Sequence, residues 1–141
     1  MILVDTNVAY ALIDAAEPDH ARCVQWFRST GRTPLILSPL AIAETCYLLD
    51  KQLGPAAEAS FLASIGRGRA FTYQLAELVA ADIARMEALV RRYADRHLGG
   101  TDASLIALAE RLKITTIATV NRRDFDNVRP EHVPAFDIVP G

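Results

Sequence analysis

An α/β fold is predicted for this chain: one domain over residues 1–141, with a central parallel sheet of four to five strands covered by helices. Three observations predict it. The runs Ile2-Leu3-Val4 and Leu35-Ile36-Leu37 are short and wholly apolar, as suits strands buried on both faces of a parallel sheet. Helix-spaced segments alternate with such runs along the chain, which is the pattern of strands joined by crossover helices. Residues that start helices follow the runs at once, Asp5-Thr6 after the first and Ser38-Pro39 after the second.

In order, Ile2–Val4 is the first strand, and Val8 to Ile13 a short helix closed by Glu17-Pro18. Asp19 suits the cap of a second helix through Cys23, Val24, Trp26 and Phe27, ending near Gly31; the two aromatic residues are expected in the core. After the strand Leu35–Leu37, Ser38 as N-cap and Pro39 at the first helical position open a helix to about Leu53. Gly54-Pro55 stops it and starts another, which ends at Gly66. Ala70–Tyr73 reads as a third strand, and Leu75 to Tyr93 as a long helix with Leu78, Val79, Ile83, Met86, Leu89 and Val90 at near-helical spacing. Gly99-Gly100 is a break, after which Thr101 caps an apolar helix through Ala109. The β-branched stretch Thr115–Val120 is a fourth strand, followed by a turn at Arg122 to Phe125. Phe136–Val139 is a last strand at the sheet edge.

The composition, 51% hydrophobic and 23% charged over 141 residues, gives a globular chain with enough apolar material for a core. A net charge of -2 offers no overall attraction for a polyanion, so such a partner would need a local basic patch or a metal ion. Cys23 and Cys46 lie in apolar, helix-like segments and read as buried free thiols of a reducing compartment. His20, His97 and His132 are far apart and have no ligand spacing with them. No apolar run approaches the length of a membrane span, and the first residues lack the basic region of a signal peptide, so a cytoplasmic location is expected.

Carboxylates recur at the ends of elements. Asp5 follows the first strand, Glu44 lies in the first turns of the Ser38-Pro39 helix, Asp102 follows Thr101, and Asp124 follows the fourth strand three residues after Asn121. Each has a simple structural use: a helix cap for Asp5, a satisfied helix residue for Glu44, dipole support for Asp102, a turn for Asp124. With parallel strands, however, all four fall at the carboxyl edge of one sheet, where open α/β sheets bind ligands. Converging carboxylates raise one another's pKa unless a cation joins them. Mg²⁺ or Mn²⁺ suits an oxygen-only donor set and would activate water against a phosphodiester. Glu17, Glu58, Glu77, Glu87 and Glu110 are assigned to solvated faces.

Four motifs in order resemble one family. Met1 to Val8, containing Asp5, resembles the opening of PIN-domain ribonucleases of the VapC toxin type. Ser38-Pro39-Leu40-Ala41-Ile42-Ala43-Glu44, the segment Thr101 to Ala109, and Thr119-Val120-Asn121-Arg122-Arg123-Asp124-Phe125 are similar to its later acidic segments. The resemblance implies a PIN-like α/β/α sandwich and a Mg²⁺-dependent endoribonuclease, with Mn²⁺ as a substitute. It implies the toxin of a VapBC pair: a homodimer inhibited by a VapB-type antitoxin whose segment enters the acidic groove, in a heterotetramer or larger complex. Asp5, Glu44 and Asp102 correspond to the metal ligands, and Asp124 to a further catalytic acid. Many relatives carry Asp where this chain has Asn121, and others an acid at the Asp124 position. Thr6, Thr119 and Asn121 correspond to polar residues beside the acids.

Arg122 and Arg123 flank the acidic positions and are the candidate RNA phosphate contacts. Arg67 and Arg69 flank a glycine, while Arg91, Arg92 and Arg96 end the long helix, where cations also serve the dipole. Two other functions fit parts of the pattern. A phosphatase using Asp5 as nucleophile would usually need a second Asp two residues on, where this chain has Asn7. A catalytically silent binding fold would not need four acids.

Overall fold

The computed structural model describes residues 1–141. Its elements are β1 (Ile2–Val4), α1 (Thr6–Ala11), α2 (His20–Ser29), β2 (Leu35–Leu37), α3 (Pro39–Leu53), α4 (Pro55–Ala63), β3 (Ile65–Gly66), β4 (Tyr73–Leu75), α5 (Ala80–Arg92), α6 (Gly100–Leu112), β5 (Thr116–Ala118) and β6 (Asp137–Val139). Short helical turns occupy Ala94–Arg96 and Arg122–Asp124. The strands form one six-stranded sheet in the order β3-β4-β2-β1-β5-β6, and every pairing is parallel.

Alternation along the strands sorts side chains to the two faces. Leu3, Ile36, Ile117 and Ile138 enter one core with Leu89 of α5 and Leu105, Ile106 and Leu108 of α6. Val4, Leu35, Leu37 and Ala118 enter the other with Val8 of α1, Cys23 of α2, Leu49 of α3 and Phe61 of α4. A sheet with helices on both faces is the result, as the apolar strands required. Trp26 and Phe27 pack against the second core, half-buried. Each fully buried leucine here contributes about 1.5–3 kcal/mol.

Several expectations are corrected. The sheet has six strands, not four to five, because Ile65–Gly66 adds a two-residue edge strand where Gly66 was read as a helix stop. The strand expected at Ala70–Tyr73 is β4 at Tyr73–Leu75, since residues 67–72 turn through Gly68 at φ 91°. The helix expected from Leu75 therefore starts at Ala80. Its buried side carries Asp82 and Leu89, while Val79, Ile83 and Val90 are exposed. Thr101 does not cap α6; Gly99 holds that position and Gly100 is the first helical residue. Asp19 precedes α2 without capping it and pairs with Arg22 at 3.0 Å.

Glu110 is not on a solvated face. Its side chain is 8% exposed and accepts from Arg85 Nε at 2.7 Å, Arg85 Nη2 at 3.0 Å and the Glu131 amide at 2.8 Å. Asp82, also buried, accepts from Arg111 Nε at 3.0 Å and from the Val79 amide at 3.0 Å. These two pairs fasten α5 to α6, and α6 delivers Asp102.

Candidate metal and active site

A parallel sheet sends the carboxyl end of every strand to the same rim, and the rim holds the acids. Asp5 leaves β1 as the N-cap of α1, its Oδ1 accepting from the Thr6 amide at 2.8 Å. The capping use and the placement at the rim therefore coincide in one residue. Ser38 leaves β2 and caps α3, accepting from the Ala41 amide at 3.1 Å, which sets the helix that carries Glu44. Pro39 at the first helical position costs no hydrogen bond there. The α6 helix runs back toward the start of β5, so its first turn, with Asp102, stands at the same rim. Thr119 follows β5, and Asn121 and Asp124 belong to the turn beyond it.

One open cleft of about 440 Å³ is lined by Asp5, Thr6, Asn7, Glu44, Asp102, Asn121 and Asp124, with Leu48, His97, Gly99, Gly100 and Thr101 completing it. The four sequence-predicted acids thus face one space. None forms an ion pair; the arginines within 4 Å of a carboxylate are all engaged elsewhere.

Asp5 is fixed most firmly. Its Oδ2 accepts from Thr119 Oγ1 at 2.8 Å and from Asn7 Nδ2 at 3.2 Å. Having given its proton to Asp5, Thr119 Oγ1 accepts from Asn7 Nδ2 at 3.0 Å and from the Asn121 amide at 3.1 Å. Asn7 Oδ1 in turn accepts from the Val120 amide at 3.2 Å. The bonds between Thr119 and Asp5, between Asn7 and Thr119, and between Asn7 and the Val120 amide tie Asp5 and the start of α1 to the segment after β5. Glu44 is exposed and accepts from Thr6 Oγ1 at 3.4 Å. Asp124 accepts from Asn121 Nδ2 at 2.8 Å.

The electrostatics follow from this placement. Burial pushes the Asp5 carboxyl up to about 6, against the hydrogen bonds of Thr119 and Thr6, and the charges of Glu44 and Asp124 push the same way. Burial likewise pushes Asp102 up to about 7, reinforced by the charges of Asp5, Asp124 and Glu44. Asp124 is also raised by burial, with Arg96 pulling it back. Raised pKa values at Asp5, Asp102 and Asp124, in a rim with no ion pair, favour a cation. The donors are carboxylate and amide oxygens, which fit Mg²⁺ or Mn²⁺ in kind. They are not gathered into a preformed cage, however: no three His, Cys, Asp or Glu side chains converge tightly enough to hold an ion.

Arg122 and Arg123 stand on the rim turn beside Asp124, but neither lines the cleft. Arg122 lies 3.7 Å from Asp126, while the Arg123 carbonyl accepts from Arg96 Nη2 at 2.8 Å. Asn7 and His97 are polar residues of the cleft that the sequence does not assign a role in the site. The spacing Asp5-Thr6-Asn7 carried a signal for Asn7. His97, in a left-handed conformation at φ 54°, had none.

The sequence model of the PIN domain family matches residues 2–130. Ribonuclease VapC26 of Mycobacterium tuberculosis is 34% identical over 139 residues, spanning 99% of this chain and 100% of that protein. The crystal structure of Mycobacterium tuberculosis VapC20, described as a sarcin-ricin loop cleaving toxin, superposes with a TM-score of 0.73 at 22% identity, covering 83% of this chain and 87% of that one. FitAcB from Neisseria gonorrhoeae gives a TM-score of 0.63 at 22% identity over 88% and 90% of the two chains. With a family match over nearly the whole fold and a full-length relative at 34% identity, this chain belongs to the PIN-domain family and to its VapC group.

Proposed function

We propose that this chain is a metal-dependent endoribonuclease and the toxin of a VapBC-type toxin–antitoxin pair, acting as one PIN domain over residues 1–141. The observation that carries the reading is the rim itself: Asp5, Glu44, Asp102 and Asp124 line one cleft, and none of them is in an ion pair. The full-length likeness to a protein named Ribonuclease VapC26 supplies the substrate class.

In this reading Asp5, Glu44 and Asp102 would hold Mg²⁺, with Mn²⁺ as a substitute, and Asp124 with Asn121 would complete the acidic rim. A divalent ion held there would supply a water of lowered pKa and charge neutralisation for a phosphodiester. Thr119, Asn7 and the Thr6 amide orient Asp5 and keep it anionic. The open cleft admits a single-stranded or looped RNA, and Arg122 and Arg123 meet its phosphates outside the cleft. A VapB-type antitoxin, a homodimeric assembly within a heterotetramer or larger complex, and a cytoplasmic location complete the proposal. No helix of the chain is long and apolar enough to cross a membrane.

Asp5 as a phosphoryl-accepting nucleophile has less support, because both its oxygens are already held by donors. The test is cleavage of RNA by the purified, antitoxin-free chain with Mg²⁺ or Mn²⁺ and with a chelator. Metal-dependent cleavage that Asp5→Asn and Asp102→Asn abolish is expected. Equal cleavage by wild type and both variants would overturn the assignment.

A further inference from the structure

We propose that a cleft at the opposite, amino edge of the sheet is a second polynucleotide site, where Arg28, Arg32 and Arg69 hold phosphates and Phe71 stacks on a base. The cleft, about 800 Å³, lies between the turn after α2 and the loop before β4. Strands β2 and β4 are parallel neighbours, with Leu35 beside Tyr73, so both connections open at the same edge.

Its charge is inverted relative to the chain. The molecule carries 17 acidic and 15 basic side chains, yet no Asp or Glu lines this cleft. The three arginines are exposed, and none lies within 4 Å of a carboxylate. Low-cost neutralisation was nearby in sequence, since Arg67 of the same loop pairs with Glu77 at 2.6 Å. A local basic surface on an acidic chain concentrates polyanions where the overall charge would not.

The aromatic residue beside them is positioned rather than loose. Phe71 is 40% exposed, and its ring rests against Gly66 so closely that a Cβ there would meet ring carbons at 2.6 Å. Glycine at position 66 is therefore what lets the ring lie on the β3 backbone. Base–aromatic stacking contributes about 1–3 kcal/mol per base and tolerates any base. Guanidinium groups spread over a cleft of this size exceed what one free phosphate needs. An acidic protein segment would satisfy the arginines but leave the ring unused. Phosphates and bases together use both.

Strands of three residues separate the two edges by about 10 Å before loops are added. The basic cleft thus cannot grip the phosphate that the acidic rim would cleave; it anchors a distant part of a longer RNA. Only the choice of RNA as the polynucleotide rests on the ribonuclease reading.

The experiment measures fluorescence anisotropy of a labelled oligoadenylate of about twenty nucleotides with the full chain, in chelator and over a salt series. Arg28→Ala/Arg32→Ala/Arg69→Ala is expected to weaken binding at least about tenfold and to reduce the slope of log K against log salt by about 2, while the triple Lys variant keeps the slope. Phe71→Ala is expected to weaken binding about 5- to 100-fold with the slope unchanged. Gly66→Ala should mimic Phe71→Ala by displacing the ring. Unaltered affinity and slope in the folded triple Ala variant would overturn the proposal, and so would a variant that binds RNA normally but loses an acidic protein partner. Arginine-dependent binding by a chain that cleaves no RNA would leave this site standing and remove the ribonuclease reading. Cleavage with arginine-independent binding would do the reverse.

Discussion

Thr119 donates its one hydroxyl proton to Asp5 Oδ2 over 2.8 Å, joining positions 114 residues apart. Thr119 Oγ1 itself accepts from Asn7 Nδ2 and from the Asn121 amide, so the hydroxyl cannot rotate away without leaving donors unmet. Thr119→Val keeps the shape and removes the donor. Metal-dependent cleavage is expected to fall about 10- to 100-fold, with Thr119→Ser retaining most of it. The lost hydrogen bond also lets burial raise Asp5 further, so the acid limb of the pH–rate profile should move to higher pH. A profile that falls in height without moving would show that Thr119 only packs.

The rim acids are predicted to be unequal. Asp102→Asn and Asp5→Asn remove groups whose raised pKa reports burial among like charges, and each should cost at least about 100-fold in cleavage and weaken Mn²⁺ binding by titration calorimetry. Asp124 is half-buried, shares Asn121 Nδ2 and feels Arg96, so Asp124→Asn should cost about tenfold or less. An Asp124→Asn loss equal to that of Asp102→Asn would make Asp124 a full ligand.

The same acids destabilise the metal-free fold. Asp102 binds its proton more tightly folded, with a pKa of about 7, than at the ordinary value of 3.8. The folded state therefore holds more protons than the unfolded state between about pH 4 and pH 7, and stability declines as pH rises through that window. Asp102→Asn, whose carboxylate makes no hydrogen bond in the structure, should melt higher than wild type at pH 8 in chelator and alike near pH 4. Adding Mg²⁺ should reverse the order at pH 8, because only the wild type gains the ion's binding energy in full.

Arg85→Ala tests the clasp between the two helices behind the rim. Burial works against the Glu110 charge, but the Arg85 hydrogen bonds and the Glu131 amide hold its carboxyl below the usual range. Removing Arg85 strands that carboxylate in a site where its side chain is 8% exposed. A loss of about 3 kcal/mol in urea unfolding is expected at pH 7. Because the Glu110 pKa is lowered by folding, its stabilising effect is present at neutral pH and is lost as pH falls, so the difference between Arg85→Ala and wild type should narrow in acid.

Much of this molecule can be read from local sequence. Ser38-Pro39 marks the start of α3 to the residue, and apolar triplets mark β1 and β2, because caps and buried strands depend on neighbours a few positions away. The convergence of the acids on one cleft is legible for a related reason: Asp5, Asp102 and Asp124 lie near the ends of elements and Glu44 in the early turns of α3, and a parallel sheet brings such positions together. What stayed hidden depends on distant partners. Glu110 looked solvated because Arg85 lies 25 residues away, across a helix pair. The part played by Asn7 is hidden because its partners Thr119 and Val120 are more than 100 residues off. The β3 strand, two residues long, has no periodicity to read. On α5 the apolar residues misled, since ion pairs from Asp82 and Arg85 carry part of its buried side.

The rim draws its residues from both ends of the chain, and that spacing has a consequence in time. A ribosome adding about 5–20 residues per second makes Asp5 roughly 6 to 24 seconds before Asp124. Until β5 has been made and has slotted in beside β1, Asp5 lacks the hydroxyl that orients it, and no cleft exists. The newborn chain thus lacks the assembled rim for nearly all of its synthesis. Helices α1 to α4 emerge during that interval, before Asp5 and Asp124 stand at one cleft.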